Sequence, residues 1–75
     1  MNGQLSEQLR LEREVMIHRF LYYVLSTPVI SDFEYDIIEA EARKICLPDS
    51  PVHGVGSSLG SSYPAEIKRL AGERL

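Results

Sequence analysis

A chain of 75 residues, 44% of them apolar and carrying a net charge of −3, is one small domain whose single core supplies only about 3–5 kcal/mol. The acidic balance excludes an autonomous grip on a phosphate backbone, so no direct nucleic-acid contact is expected. No apolar run approaches the roughly 20 residues that span a bilayer, and "MNGQLSEQLRLERE" lacks the basic-then-apolar order of a signal peptide, so a soluble, cytoplasmic chain without a membrane partner is expected.

The periodicity predicts an all-α fold: two main helices in a hairpin, an irregular loop and a short C-terminal helix. From Leu5 to about Leu25 apolar residues fall at helical spacing, with Leu5, Leu9, Met16, Phe20 and Val24 on one line and Leu11, Val15, Tyr22 and Leu25 beside it. This helix stops before Thr27-Pro28, because the residue before a proline is pushed out of helical geometry. Ser31-Asp32-Phe33-Glu34 then reads as a capping box that opens a second helix. That helix runs to about Ile45 and is expected to bury Phe33, Ile37 and Ala40 together with Ile38, Ala42 and Ile45. The stretch "LPDSPVHGVGSSLGSS" carries too much Pro and Gly for regular structure. In "YPAEIKRLAGERL", Pro64 suits a first turn and Ile67, Leu70 and Ala71 share one side.

Lone Cys46 offers no internal disulfide and is read as an unreactive thiol, while His18 and His53 stand too far apart for metal-ligand spacing. Gly56-Ser57-Ser58-Leu59-Gly60 fits the G-x-S-x-G pattern, but a nucleophile elbow needs a strand before it and a helix after it in a large sheet. Gly54-Val55-Gly56 with Gly60 likewise lacks the βαβ unit of a dinucleotide fingerprint.

"YYVLSTPVISDFEYD", residues 22–36, is the informative segment. With the second helix starting at Asp32, Asp32, Tyr35 and Asp36 stand at i, i+3 and i+4 and share a face opposite to Phe33 and Ile37. The turn through Pro28 folds Tyr22 and Tyr23 back towards that face. Aromatic walls with acidic edges suit a flat cation such as a pyridinium ring. Each residue also has an ordinary structural reason: Asp is favoured at a helix start by the macrodipole, and tyrosines are common at core edges.

This segment, Y-Y-V-x-x-x-P-x-I-x-D-x-E-Y-D, and the later "PDSPVHGVG" resemble the two hallmark blocks of the small N-terminal (Ia) domain of bacterial NAD-dependent DNA ligases. The likeness covers about Leu5 to Gly56, so residues 1–56 are expected to form the ligase-like unit and residues 57–75 a divergent loop and helix packed on the same domain. The resemblance implies a helical domain that captures the nicotinamide mononucleotide half of NAD+ for a lysine in the next domain. It assigns ring stacking and pocket walls to Tyr22 and Tyr35, and contacts with the nicotinamide amide and ribose to Asp32 and Asp36. Tyr23 stands where the family often has His. The adenylation motif K-x-D-G is absent: Lys44 sits in "KICL" and Lys68 in "KRLA". The chain is therefore expected not to catalyse ligation by itself. It is also shorter than the usual ligase domain between Asp36 and Pro48 by roughly two helical turns.

The expected function is thus an NAD+ or nicotinamide mononucleotide-binding module of a detached or freestanding kind, working with a separate adenylation domain in DNA replication and repair. The alternative is a small interaction protein that keeps the fold and binds another protein. The third helix is too short to be stable alone. It is expected to dock near Ile38, Ala42 and Ile45, with a domain-swapped or symmetric homodimer as the other solution.

Overall fold

The computed structural model describes residues 2–54 and 59–75. The order of elements is α1 (Asn2–Arg19), a π-helical turn (Phe20–Val24), α2 (Asp32–Ile45), 3-10 turns at Pro51–His53 and Gly60–Ser62, and α3 (Ala65–Glu73). No strand occurs among the described residues, and the chain is all-α as expected. The side chain of Leu5, the glycine-serine motif at Gly56–Ser58 and the boundary between residues 56 and 57 lie outside the described residues.

The first helix ends as the sequence dictates, with one change of geometry. Its last turn widens from α to π at Phe20–Val24, a distortion often found at functional sites. Leu25 N–H then donates to Phe20 O at 3.1 Å and Thr27 N–H to Leu21 O at 2.8 Å. Ser26 takes φ 56°, the left-handed conformation that ends many helices. Pro28 bars a return to the helix. At the start of α2 the capping box is complete: Glu34 N–H donates to Ser31 Oγ at 3.1 Å, and Ser31 N–H donates to Glu34 Oε1 at 3.3 Å.

α1 is the central element, with α2 on one side and α3 on the other. Leu11 and Val15 pack with Ala42 of α2 and with Val52. Ile17, Phe20 and Leu21 pack with Tyr63, Ile67 and Ala71. At 3.6 residues per turn these two sets face opposite sides of α1, so the helix serves two cores. Phe20 and Tyr63 meet edge to face with ring centroids 5.3 Å apart.

Three expectations about packing are corrected. On α1, Leu9, Tyr22 and Leu25 are exposed, while Ile17 and Leu21, absent from the predicted lines, are fully buried. On α2, Ala42 is buried and Ile38 and Ile45 pack beside it, but Phe33 is 74% exposed, Ile37 48% exposed, and Ala40 exposed as well. A 14-residue helix covered on one side only buries one stripe, and the seam with α1 and Val52 selects that of Tyr35, Ile38, Ala42 and Ile45. Finally, α3 does not cover Ile38, Ala42 and Ile45: those residues already face α1, and α3 docks on Ile17, Phe20 and Leu21 instead.

Two stability measurements check this arrangement. Ile67→Ala empties a buried site between α3 and α1, and should lower stability by about 2–4 kcal/mol in urea unfolding. Ser26→Gly removes the steric cost of a side chain at positive φ and should raise the urea midpoint, by up to about 1 kcal/mol of stability.

Candidate functional site

The α1–α2 seam changes character along its length. On α1, Leu11, Val15 and His18 form one stripe at i, i+4 and i+7, and the π turn carries Tyr22 beyond it. On α2, Tyr35, Glu39 and Ala42 form the facing stripe. Leu11, Val15 and Ala42 are core, whereas His18, Tyr22, Tyr35 and Glu39 wall a cavity of about 380 Å³.

All the residues singled out in the sequence, Tyr22, Tyr23, Asp32, Tyr35 and Asp36, line this cavity. The π turn presents Tyr22 and Tyr23 together, their rings edge to face with centroids 5.0 Å apart and the planes at 78°. Both are about half exposed. Pro28 and Ile30 of the turn also line the space. The capping box fixes the start of α2, so Asp32 and Asp36 stand one turn apart on its rim, both exposed and neither ion-paired among the described residues. Tyr35 is different: its hydroxyl is not free for a ligand, because it accepts from Arg19 Nε at 2.9 Å and donates to Glu39 Oε2 at 2.9 Å. Burial, reinforced by the bond it donates to Glu39, pushes its pKa up to about 12, so the phenol stays protonated.

Arg19 was not singled out in the sequence and holds this end of the molecule together. It is only 3% exposed. Besides Tyr35 it donates to Glu39 Oε2 at 2.9 Å and to the carbonyls of Pro51 at 2.9 Å, Val52 at 3.1 Å and Gly54 at 2.9 Å. The planar guanidinium spreads donors over several acceptors at once, which an ammonium cannot do. Ser50 completes the same loop: its hydroxyl donates to Glu12 at 2.6 Å and accepts from Val52 N–H at 3.4 Å, seating Val52 in the core. Burial disfavours the Glu39 carboxylate, but the hydrogen bonds from Arg19 and Tyr35 outweigh it and hold its pKa below the ordinary value.

His18 and Glu39 were likewise not singled out in the sequence. His18 is 5% exposed, its Nε2 lies 3.5 Å from Glu14 Oε1, and its buried Nδ1 has no hydrogen-bond partner. Burial pushes its pKa down, so the imidazole is neutral near pH 7. A signal for Arg19 did exist: a cation inside the apolar run "VMIHRFLYYV" is buried on some face and needs partners. The chemistry on offer is recognition, with aromatic rings, unpaired carboxylates and a neutral imidazole. Among the described residues no cluster of His, Cys, Asp and Glu could hold a metal ion, and no helix is long and apolar enough to cross a membrane.

Two consequences are measurable. Arg19→Ala takes from Glu39 its buried cation and from the Val52 and Gly54 carbonyls their Arg19 donor, while Pro51 O keeps its bond from Gly54 N–H; it should cost about 3 kcal/mol or more, enough to unfold so small a domain, and Arg19→Lys should not rescue it. Glu39 has a depressed folded pKa, so its stabilisation is present above the unfolded value of 4.5 and is lost as pH falls through the lower folded value. Stability of Glu39→Gln should therefore fall less steeply than that of the parent chain as pH drops below 4.5, read by thermal melting across that range.

Relatives are found among bacterial DNA ligases. The DNA ligase of Persephonella marina is 41% identical over 64 residues, 76% of this chain and 9% of the relative. That of Parabacteroides distasonis is 42% identical over 66 residues, 79% of this chain and 10% of the relative. That of Roseiflexus sp. is 37% identical over 70 residues, 83% of this chain and 10% of the relative. No family model matches the chain, and no solved structure matches it. The chain spans about a tenth of the length of these relatives. By these similarities it belongs with the bacterial DNA ligases, as a relative of one small segment of that enzyme.

Proposed function

We propose that the chain binds the nicotinamide mononucleotide half of NAD+ in the cavity between the π turn and α2. The observation that carries this reading is one cavity walled by Tyr22, Tyr23 and Tyr35 and edged by the unpaired carboxylates of Asp32 and Asp36. Its volume of about 380 Å³ falls in the usual range for small-molecule sites, roughly 300–1,000 Å³. The site's charge also suits a cation: Arg19 spends its donors on Glu39, Tyr35 and backbone carbonyls, so the negative charge of Asp32 and Asp36 is left uncompensated. Tyr22 stacks on the pyridinium ring, Tyr35 forms a fixed wall, and the two carboxylates accept from amide and ribose donors. Tyr23 closes the side next to Tyr22.

Catalysis needs another domain. With no K-x-D-G lysine, the chain delivers the cofactor to an adenylation domain in DNA ligation and does not itself form an adenylate. Exposed Phe33 and Ile37 on the outer side of α2 favour a second reading, in which the chain acts chiefly by docking on another protein through this face.

Nicotinamide mononucleotide should bind with a Kd of about millimolar, near −4 kcal/mol, seen as shifts of Tyr22 and Tyr35 resonances on titration. Tyr22→Ala should abolish the response and Asp36→Asn weaken it. Absence of any shift near the solubility limit would favour the protein-docking reading. Intact-mass measurement after incubation with NAD+ and magnesium should show no adenylate adduct.

A further inference from the structure

We propose that His18 is a further binding residue of this cavity, accepting a hydrogen bond at Nδ1 from an N–H donor of the ligand and so selecting the carboxamide over the carboxylate form of a pyridine nucleotide. The inference rests on the reading of the cavity as a pyridine-nucleotide site.

Its starting point is a polar atom with no visible purpose. His18 lines the cavity, is 5% exposed, and carries a buried Nδ1 without a hydrogen-bond partner. A buried polar group left unsatisfied costs free energy, and the great majority of such groups find a partner. The ring borders the cavity, and because Nδ1 is closed off in the free chain, a small turn of the ring is what brings it to a donor held there.

The direction of the bond follows from the other ring nitrogen. Nε2 faces Glu14 Oε1 at 3.5 Å, and an ionised carboxylate can only accept. Glu14 is held ionised by Arg74 of the C-terminal segment, whose Nη1 donates to Oε1 at 3.2 Å and whose Nη2 donates to Oε2. The proton of the neutral ring therefore resides on Nε2, and Nδ1 presents a lone pair. The carboxylates of Asp32, Asp36 and Glu39 on the same cavity are acceptors too. A ligand meeting these groups satisfies them with N–H donors, which a carboxamide has. A carboxylate has none and adds repulsion. Sites built to receive a hydrogen bond reject analogues that cannot make it.

The test compares nicotinamide mononucleotide with nicotinic acid mononucleotide on the full chain, with imidazole nitrogen shifts recorded by NMR. The free chain should show the Nε2–H tautomer at His18. Saturation with the amide should shift Nδ1 as an accepted hydrogen bond does, and the acid should bind about tenfold more weakly or worse. His18→Leu should weaken amide binding about fivefold and leave the acid unchanged, while His18→Asn, whose side-chain oxygen can accept, should retain the amide preference. The nitrogen shifts and the asparagine variant decide the matter even where the leucine variant does not fold. An Nδ1–H tautomer in the free chain overturns the proposal without any ligand. Tyrosine shifts with an unmoved His18 Nδ1, or equal affinity for amide and acid, overturn it and leave the cavity reading intact. Binding of neither nucleotide overturns the cavity reading and this proposal together.

Discussion

A single buried cation organises this small domain. Burying the Arg19 guanidinium is costly unless its donors are met by acceptors with good geometry. They are met by two side chains of α2 and three carbonyls of the loop that follows it. The loop has little regular structure of its own: its short 3-10 turn gives Pro51 O a bond from Gly54 N–H, and the carbonyls of Val52 and Gly54 take theirs from Arg19. Arg19 therefore does for the segment around Pro51 what a neighbouring strand or helix does elsewhere. The requirement runs both ways, so the spacing of α1 and α2 and the position of Val52 are fixed by one set of bonds.

The rest of the architecture divides around α1. One side, with α3, has an apolar core that carries the edge-to-face pair of Phe20 and Tyr63 and is rimmed by the ion pairs Arg13–Glu66 and Arg74–Glu14. The other side starts apolar at Leu11, Val15 and Ala42 and turns polar at His18, Arg19 and Glu39. The cavity lies where that seam stops being close-packed, beside a π turn that reorients two tyrosines. Its position is thus a product of helix packing and helix termination together.

Local signals were legible in the sequence because their causes are local. Pro28 ends a helix and Ser31 with Glu34 begins one whatever surrounds them, and both appear as expected. Asp32, Tyr35 and Asp36 share a face by spacing alone, and the capping box fixes their register. The buried stripe of α2 was not legible. Phe33, Ile37 and Ala40 are as apolar as Ile38, Ala42 and Ile45, and only the placement of α1 decides between them. The partner of α3 was hidden for the same reason, since Ile17 and Leu21 fall outside the single line a one-sided helix would show. Arg19 was the hardest to read: its partners lie 16, 20, 32, 33 and 35 residues away, and no short motif spans such distances.

Tyr35 belongs to both the scaffold and the cavity, and its neighbours on the rim do not. Its hydroxyl bridges Arg19 and Glu39 while its ring forms a wall. Tyr22, Tyr23, Asp32 and Asp36 stand exposed or half exposed outside that network. Relaxed selection would therefore erode this cavity in a set order. The rim residues could be replaced one by one in a chain that still folds, while the inner wall would persist as a relic, retained for the sake of the arginine beneath it.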